Sequence, residues 1–173
     1  LHSGLKRMFQ LKHKVFYYVT VMNENYAHPA RPKGSDEGII KGIYCLREGG
    51  KKGKKVQLMG SGTILREVIA AAGLLKADFD INADIWSVTS VNELAREAHD
   101  STRWNLLHPG KKARKSYLES QLQGRKGPAV MASDYTRAFV NQLHEFVPMR
   151  FVTLGTDGFG RSDTRERLRT FFE

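Results

Sequence analysis

The residues best placed to do chemistry lie in a glycine-rich turn, "GTDGFGRSD" (155–163), set between the β-rich "RFVTLG" and the charged "TRERLRTFFE". A strand, a glycine loop and a helix start in that order can cradle a nucleotide or diphosphate, because the free N–H groups of the first helical turn face the anion. The details of the loop argue against it. A Walker loop ends in Gly-Lys-Ser/Thr and a dinucleotide loop reads G-x-G-x-x-G, and this stretch has neither. Asp157 and Asp163 put negative charge where an anion would sit. Asp163 and Glu166 have the spacing of a helix N-terminus, while Gly155, Gly158 and Gly160 let the backbone turn through conformations closed to other residues. The expectation is a packed turn with a capped helix. "GSGTIL" (60–65) is a second turn of the same nonspecific kind.

Other reactive side chains are scattered. The six histidines include no H-E-x-x-H and no pair at i, i+4 spacing, so no metal site is expected. His99 and His108 with Glu97 would be the nearest thing to an acid–base cluster, set against the commoner reading of exposed helix and loop histidines. There is no G-x-S-x-G elbow, and Cys45, near Lys41 and Arg47, reads as a half-buried thiol rather than a nucleophile. A lone cysteine forms no internal disulfide, which favours a reducing, cytoplasmic setting.

The net charge of +10 is unevenly spread. Lys51–Lys55 carries four lysines and no acid, Lys111–Lys126 carries six basic residues against one Glu, and the rest of the chain is close to balance. Solvated loops are the default reading, since neither stretch interleaves the aromatics of a base-stacking surface; a nucleic-acid-binding module is the alternative. The longest apolar run, "VIAAAGLL", falls short of the roughly 18 residues that span a bilayer, so no membrane segment is expected.

The elements that must position these residues follow an α/β rhythm. "VFYYVTVM" (15–22) has the composition of a strand buried on both faces of a parallel sheet, and the Pro- and Gly-rich "NENYAHPARPKGSDEG" after it reads as a domain boundary. "KVQLMGSG" is then a strand with "TILREVIAAAGLLKA" its helix, and "ADIWSVTS" a strand whose helix "VNELAREAH" opens with a capping box, Ser90 and Glu93. "PAVMASD" leads into "YTRAFVNQLHEF", and "RFVTLG" into "TRERLRTFFE". Four strand–helix units argue an α/β fold with a mostly parallel sheet and right-handed crossovers, with 110–127 as an excursion. The opening "LHSGLKRMF" has neither Met nor an apolar leader, so a piece cut from a longer chain is expected.

Five segments in order, "VFYYVTVMNENYAHPA", "KVQLMGSGTILREV", "SVTSVNELARE", "RWNLLHP" and "LGTDGFGRSDTRERLRTFFE", resemble the C-terminal portion of the homodimeric type of pyruvate dehydrogenase first component, a thiamine diphosphate-dependent, transketolase-like family. The resemblance implies a three-layer αβα domain like the transketolase C-terminal domain. Residues 1–22 would be the end of a pyrimidine-binding domain, 23–40 a linker, and 41–173 the C-terminal domain, truncated at its own C-terminus. It implies pyruvate decarboxylation by the full-length enzyme, with thiamine diphosphate and magnesium, a homodimer, and transfer to the dihydrolipoyl acetyltransferase component, in the cytoplasm.

The family's cofactor motif, Gly-Asp-Gly followed downstream by Asn-Asn, is missing from this sequence, since Asp157-Gly158 lacks the leading glycine and no Asn-Asn pair occurs. The glutamate that activates the aminopyrimidine belongs to the middle domain upstream of Leu1. No catalytic, cofactor-binding or metal residue is therefore carried over, no cofactor is expected in this fragment, and nucleic acid is not an expected partner. The linker departs from the family in reading Ala27-His28-Pro29-Ala30-Arg31-Pro32, where relatives carry a more apolar run.

Overall fold

The computed structural model describes residues 1–21 and 25–172. Two compact units result, Leu1–Ala30 and Arg31–Glu173. In the first, α1 (His2–Leu5) runs into a π-helical turn, Lys6–Gln10, and the chain then extends. Arg7 donates from Nη1 to the Tyr17 hydroxyl at 2.9 Å. The strand expected at 15–22 does not form: through residue 21 the run has no regular structure and no ladder partner among the described residues, with Phe16 89%, Tyr18 87% and Val21 87% exposed, and Met22 lies outside the described residues. A strand exists by its ladder, and no described segment pairs with this one.

The second unit opens with α2 (Asp36–Lys41), β1 (Ile43–Arg47), β2 (Lys54–Ser61), α3 (Ile64–Phe79) and β3 (Ile81–Val88). It continues with α4 (Val91–Leu107), α5 (Tyr117–Leu122), β4 (Ala129–Thr136), α6 (Arg137–Asn141), a 3₁₀ turn (His144–Phe146), β5 (Phe151–Thr156) and α7 (Arg165–Phe172). The sheet order is β1-β3-β2-β4-β5. β2, β3, β4 and β5 pair in parallel, and β1 is an antiparallel edge on β3. This is a mostly parallel α/β fold in three layers. On one face Val56, Leu58, Ala83 and Ile85 pack against Val68 and Ala72 of α3. On the other, Met59, Trp86, Val88 and Met131 pack against Leu94 and Ala95 of α4, Leu118 and Leu122 of α5 and Val140 of α6.

Crossover handedness explains that division of helices. The step β2 to β3 runs one way along the sheet, and the steps β3 to β4 and β4 to β5 run the other, so right-handed connections put α3 on one face and α4, α5 and α6 on the other. Beside α3 the sheet consequently carries an open apolar groove of about 800 Å³, lined by Leu58, Val68, Leu75, Val130 and Leu154.

Several local expectations need correction. The capping box at Ser90 closes on one side only: Ser90 Oγ accepts from the Glu93 N–H at 3.1 Å, but the Ser90 N–H is taken by the Gly42 carbonyl at 3.2 Å and Glu93 turns to Arg96. The last helix is capped one residue later than expected, by Thr164, whose Oγ1 accepts from the Arg167 N–H. Asp163 instead accepts from the Thr164 N–H at 2.7 Å. The helix expected at 135–146 begins later, because β4 continues through Thr136, and it breaks into α6 and the 3₁₀ turn. The excursion at 110–127 contains α5, capped by Ser116 and seated by Leu118 and Leu122.

Candidate functional site

In an open α/β sheet the default ligand site lies at the carboxyl ends of the strands, where the chain order reverses. Here that point falls between β2 and β4, and both glycine turns picked out in the sequence lie at this end. Two of their glycines, Gly60 and Gly155, answer packing needs. A Cβ on Gly60 would come within 2.8 Å of the Leu65 Cα, so Gly60 lets the first turn of α3 lie directly on β2. A Cβ on Gly155 would come within 2.5 Å of the Tyr135 carbonyl oxygen and would push β5 from β4. Across the switch point the hydroxyls of Ser61 and Ser133 meet at 3.3 Å. In the longer turn Gly158 adopts φ 93°, and Asp157 is bound by Arg137 at 2.6 Å. The longer turn joins strand to helix but is not packed as expected: residues 157–164 are exposed, and a Cβ on Gly158 or Gly160 would meet nothing.

The imagined acid–base cluster does not assemble. Glu97 accepts from the Tyr117 N–H at 2.7 Å and the Ser101 hydroxyl at 3.1 Å, which ties α4 to the start of α5. His99 faces Glu145 at 3.8 Å and the edge of Phe146. His108 stacks on Trp104 with its Nδ1 2.8 Å from the Trp104 carbonyl. Among the described residues no three His, Cys, Asp or Glu side chains converge in a way that could hold a metal ion.

Cys45 is half-buried. Lys41, expected beside it, lies instead over the Tyr117 ring at 5.9 Å. Burial pushes the thiol up from its ordinary value of 9.0, and Arg125 opposes this only in part. Alkylation of Cys45 by iodoacetamide at pH 8 is expected to run on the order of a few-fold slower than that of a free cysteine, because less thiolate is present. An equal or faster rate, followed by mass spectrometry, would contradict this environment.

One polar cluster escaped the motif reading. Asp84, 1% exposed, accepts from Lys55 Nζ at 2.9 Å, Gln57 Nε2 at 2.9 Å and the Gly49 N–H at 2.8 Å. Arg125 lies 3.7 Å from its Oδ2 and bridges to Glu48 at 2.8 Å. Gln57 passes the network on: its Oε1 accepts from Trp86 Nε1 at 2.9 Å and its Nε2 also donates to the Lys126 carbonyl at 3.0 Å. Burial alone would raise the Asp84 carboxyl, but the Lys55, Gln57 and Gly49 hydrogen bonds outweigh it and hold it below the usual carboxylate range. The first basic stretch thus contributes Lys55 and the second Arg125 to one buried acid. Part of the excess positive charge is internal counter-charge for the fold. The signal was legible in "ADIWSV", an acid at a strand position flanked by core residues, which must find partners when buried.

Residues 42–173 match the family profile of the transketolase-like TK C-terminal domain. The chain belongs to that family. Ahead of the transketolase-type domain, residues 1–29 match the pyruvate dehydrogenase E1 component middle domain. Relatives named pyruvate dehydrogenase E1 component are 53% identical in Cupriavidus necator, 53% in Pseudomonas aeruginosa and 49% in Escherichia coli K12, each over the whole of this chain. The chain spans 20% of the length of each of these relatives. In the transketolase-type domain, the Asp84 network lies in the amino-terminal halves of β2 and β3, away from the carboxyl ends where such sheets hold ligands. It fixes loops to the sheet.

Proposed function

We propose that this chain is the C-terminal part of a thiamine diphosphate-dependent pyruvate dehydrogenase first component, in which it supports the active site and the dimer. The observation that carries the reading is identity of about half over the entire chain to relatives of that name. Residues 1–22 are the end of the pyrimidine-binding domain, 23–40 the linker, and 41–173 the C-terminal domain. In the whole enzyme the cofactor supplies the electron sink for pyruvate decarboxylation, and the protein supplies position. The acetyl unit then passes to a lipoyl group on the acetyltransferase component, in the cytoplasm. No catalytic residue is assigned to this segment, whose sequence lacks the family's Gly-Asp-Gly and Asn-Asn motif.

A chimera tests this. Residues 23–173 replace the matching segment of the Cupriavidus necator relative, and pyruvate decarboxylation is measured with thiamine diphosphate and magnesium added. Turnover within about tenfold of the parent is expected, a loss of no more than about 1.4 kcal/mol of transition-state stabilisation. A folded, dimeric chimera without turnover would refute the supporting role.

A further inference from the structure

In the second basic stretch Lys115 and Arg125 pair with acids, whereas Arg114, among the described residues, meets an aromatic ring instead. Arg114 is clamped through its backbone by a single side chain: its N–H donates to Asn105 Oδ1 at 2.7 Å, and its C=O accepts from Asn105 Nδ2 at 2.9 Å. Its guanidinium lies over the Trp104 ring, 3.8 Å from the centroid, and Trp104 also stacks with His108 at 4.5 Å. Among the described residues the contact of that guanidinium is the Trp104 ring. Such a stack fixes the plane of the fork while leaving its edge N–H groups free to donate.

Arg114 lines a cavity of about 380 Å³ between α4, the start of α5 and the 3₁₀ turn. The other polar lining groups are Ser101, Thr102, Asn105, Ser116, Glu119 and Glu145. Most are engaged: Ser101 donates to Glu97, Asn105 holds Arg114, and Glu119 lies 3.9 Å from Lys115. Among the described residues Glu145 meets the exposed His99, at 3.8 Å. The cavity therefore presents one oriented cation and two loosely held carboxylates, Glu119 and Glu145, with a volume at the lower end of the roughly 300–1,000 Å³ typical of small-molecule sites.

We propose that this cavity binds a small zwitterion of amino-acid type, its carboxylate on Arg114 and its ammonium on Glu145. A simple anion would meet the two glutamates, and a simple cation would meet Arg114. Only a ligand carrying both charges matches both walls, so the discrimination comes from repulsion as much as attraction. The bidentate geometry of a guanidinium with a carboxylate orients the ligand.

The test is a titration of the 173-residue chain followed by amide chemical shifts, with glycine, β-alanine and γ-aminobutyrate as probes of increasing charge separation. Butyrate and n-butylammonium serve as single-charge controls. At least one zwitterion is expected to give saturable shifts at Thr102, Arg114 and Glu145 in the millimolar range, with both controls weaker by about tenfold or more. Arg114→Gln and Glu145→Gln are each expected to weaken the zwitterion by about tenfold while leaving the spectrum dispersed. Butyrate binding as well as the zwitterions, or Glu145→Gln without effect, would reduce the cavity to a plain anion site and overturn the proposal. Absence of saturable shifts with all three zwitterions would overturn it outright.

Discussion

Asp84→Leu is expected to lower the folding free energy of this chain by about 3–5 kcal/mol, the usual cost of removing one partner from a buried charge network. Against a typical stability of about 5–15 kcal/mol, that is a large fraction of the whole. The substitution puts an apolar side chain among polar partners and strands them. Lys55, 15% exposed in its side chain, loses its carboxylate, and the Gly49 N–H and Gln57 amide lose an acceptor. Asp84→Asn keeps an acceptor but drops the charge, and is expected to cost about half as much. Urea unfolding followed by circular dichroism measures both. If Asp84→Leu costs under about 1 kcal/mol, the network adds no more than a surface pair would.

The same carboxylate has a pH signature. Its folded-state pKa lies below the ordinary value of 3.8, so the unfolded chain takes up the proton first as pH falls. The stabilisation is complete above about pH 5, declines as the unfolded-state group protonates near pH 4, and is gone once pH has fallen through the folded-state value. Unfolding at pH 7 and at stepwise lower pH should show a steeper acid loss in the parent chain than in Asp84→Asn. Parallel acid limbs would remove Asp84 from that role.

The sheet was legible where a local pattern coincides with a global demand. "KVQLMGSG", "ADIWSVTS", "PAVMASD" and "RFVTLG" are apolar, β-branched runs that a parallel strand requires, and all four lie in the sheet. β1 was not legible, because an edge strand of five residues between a Pro-rich linker and a Lys-rich loop buries only Ile43 fully and needs no long apolar run. The failure at 15–22 is of the opposite kind: the composition of a buried strand is there, but burial is a property of neighbours, and no described residues supply them. α5 was readable in principle, since Ser116 and Glu119 have cap spacing and Leu118 and Leu122 are one turn apart; the surrounding lysines and glycines masked it. For the candidate sites the limit was long-range contact. Nothing local joins Lys55, Asp84 and Arg125, and nothing local sets Arg114 upon Trp104.

Trp86→Ala should be the costliest change within the core, at about 3–5 kcal/mol for the cavity alone. Trp86 is fully buried, packs in the face covered by α4, α5 and α6, and carries the Arg125 guanidinium 5.0 Å from its ring. Its indole N–H also satisfies Gln57 Oε1, a buried acceptor that meets no second donor among the described residues. Trp86→Phe separates the two effects, since it keeps most of the apolar volume and removes the donor, at an expected cost of about 1–3 kcal/mol. Because Gln57 bonds Asp84 on one side and Trp86 on the other, Trp86→Phe and Asp84→Asn should not add. A coupling of about 0.5–3 kcal/mol is expected between them in a double-mutant cycle read by urea unfolding. Additivity within about 0.3–0.5 kcal/mol would mean that Gln57 rotates to satisfy each partner independently, and that the cluster is two separate contacts instead of one network.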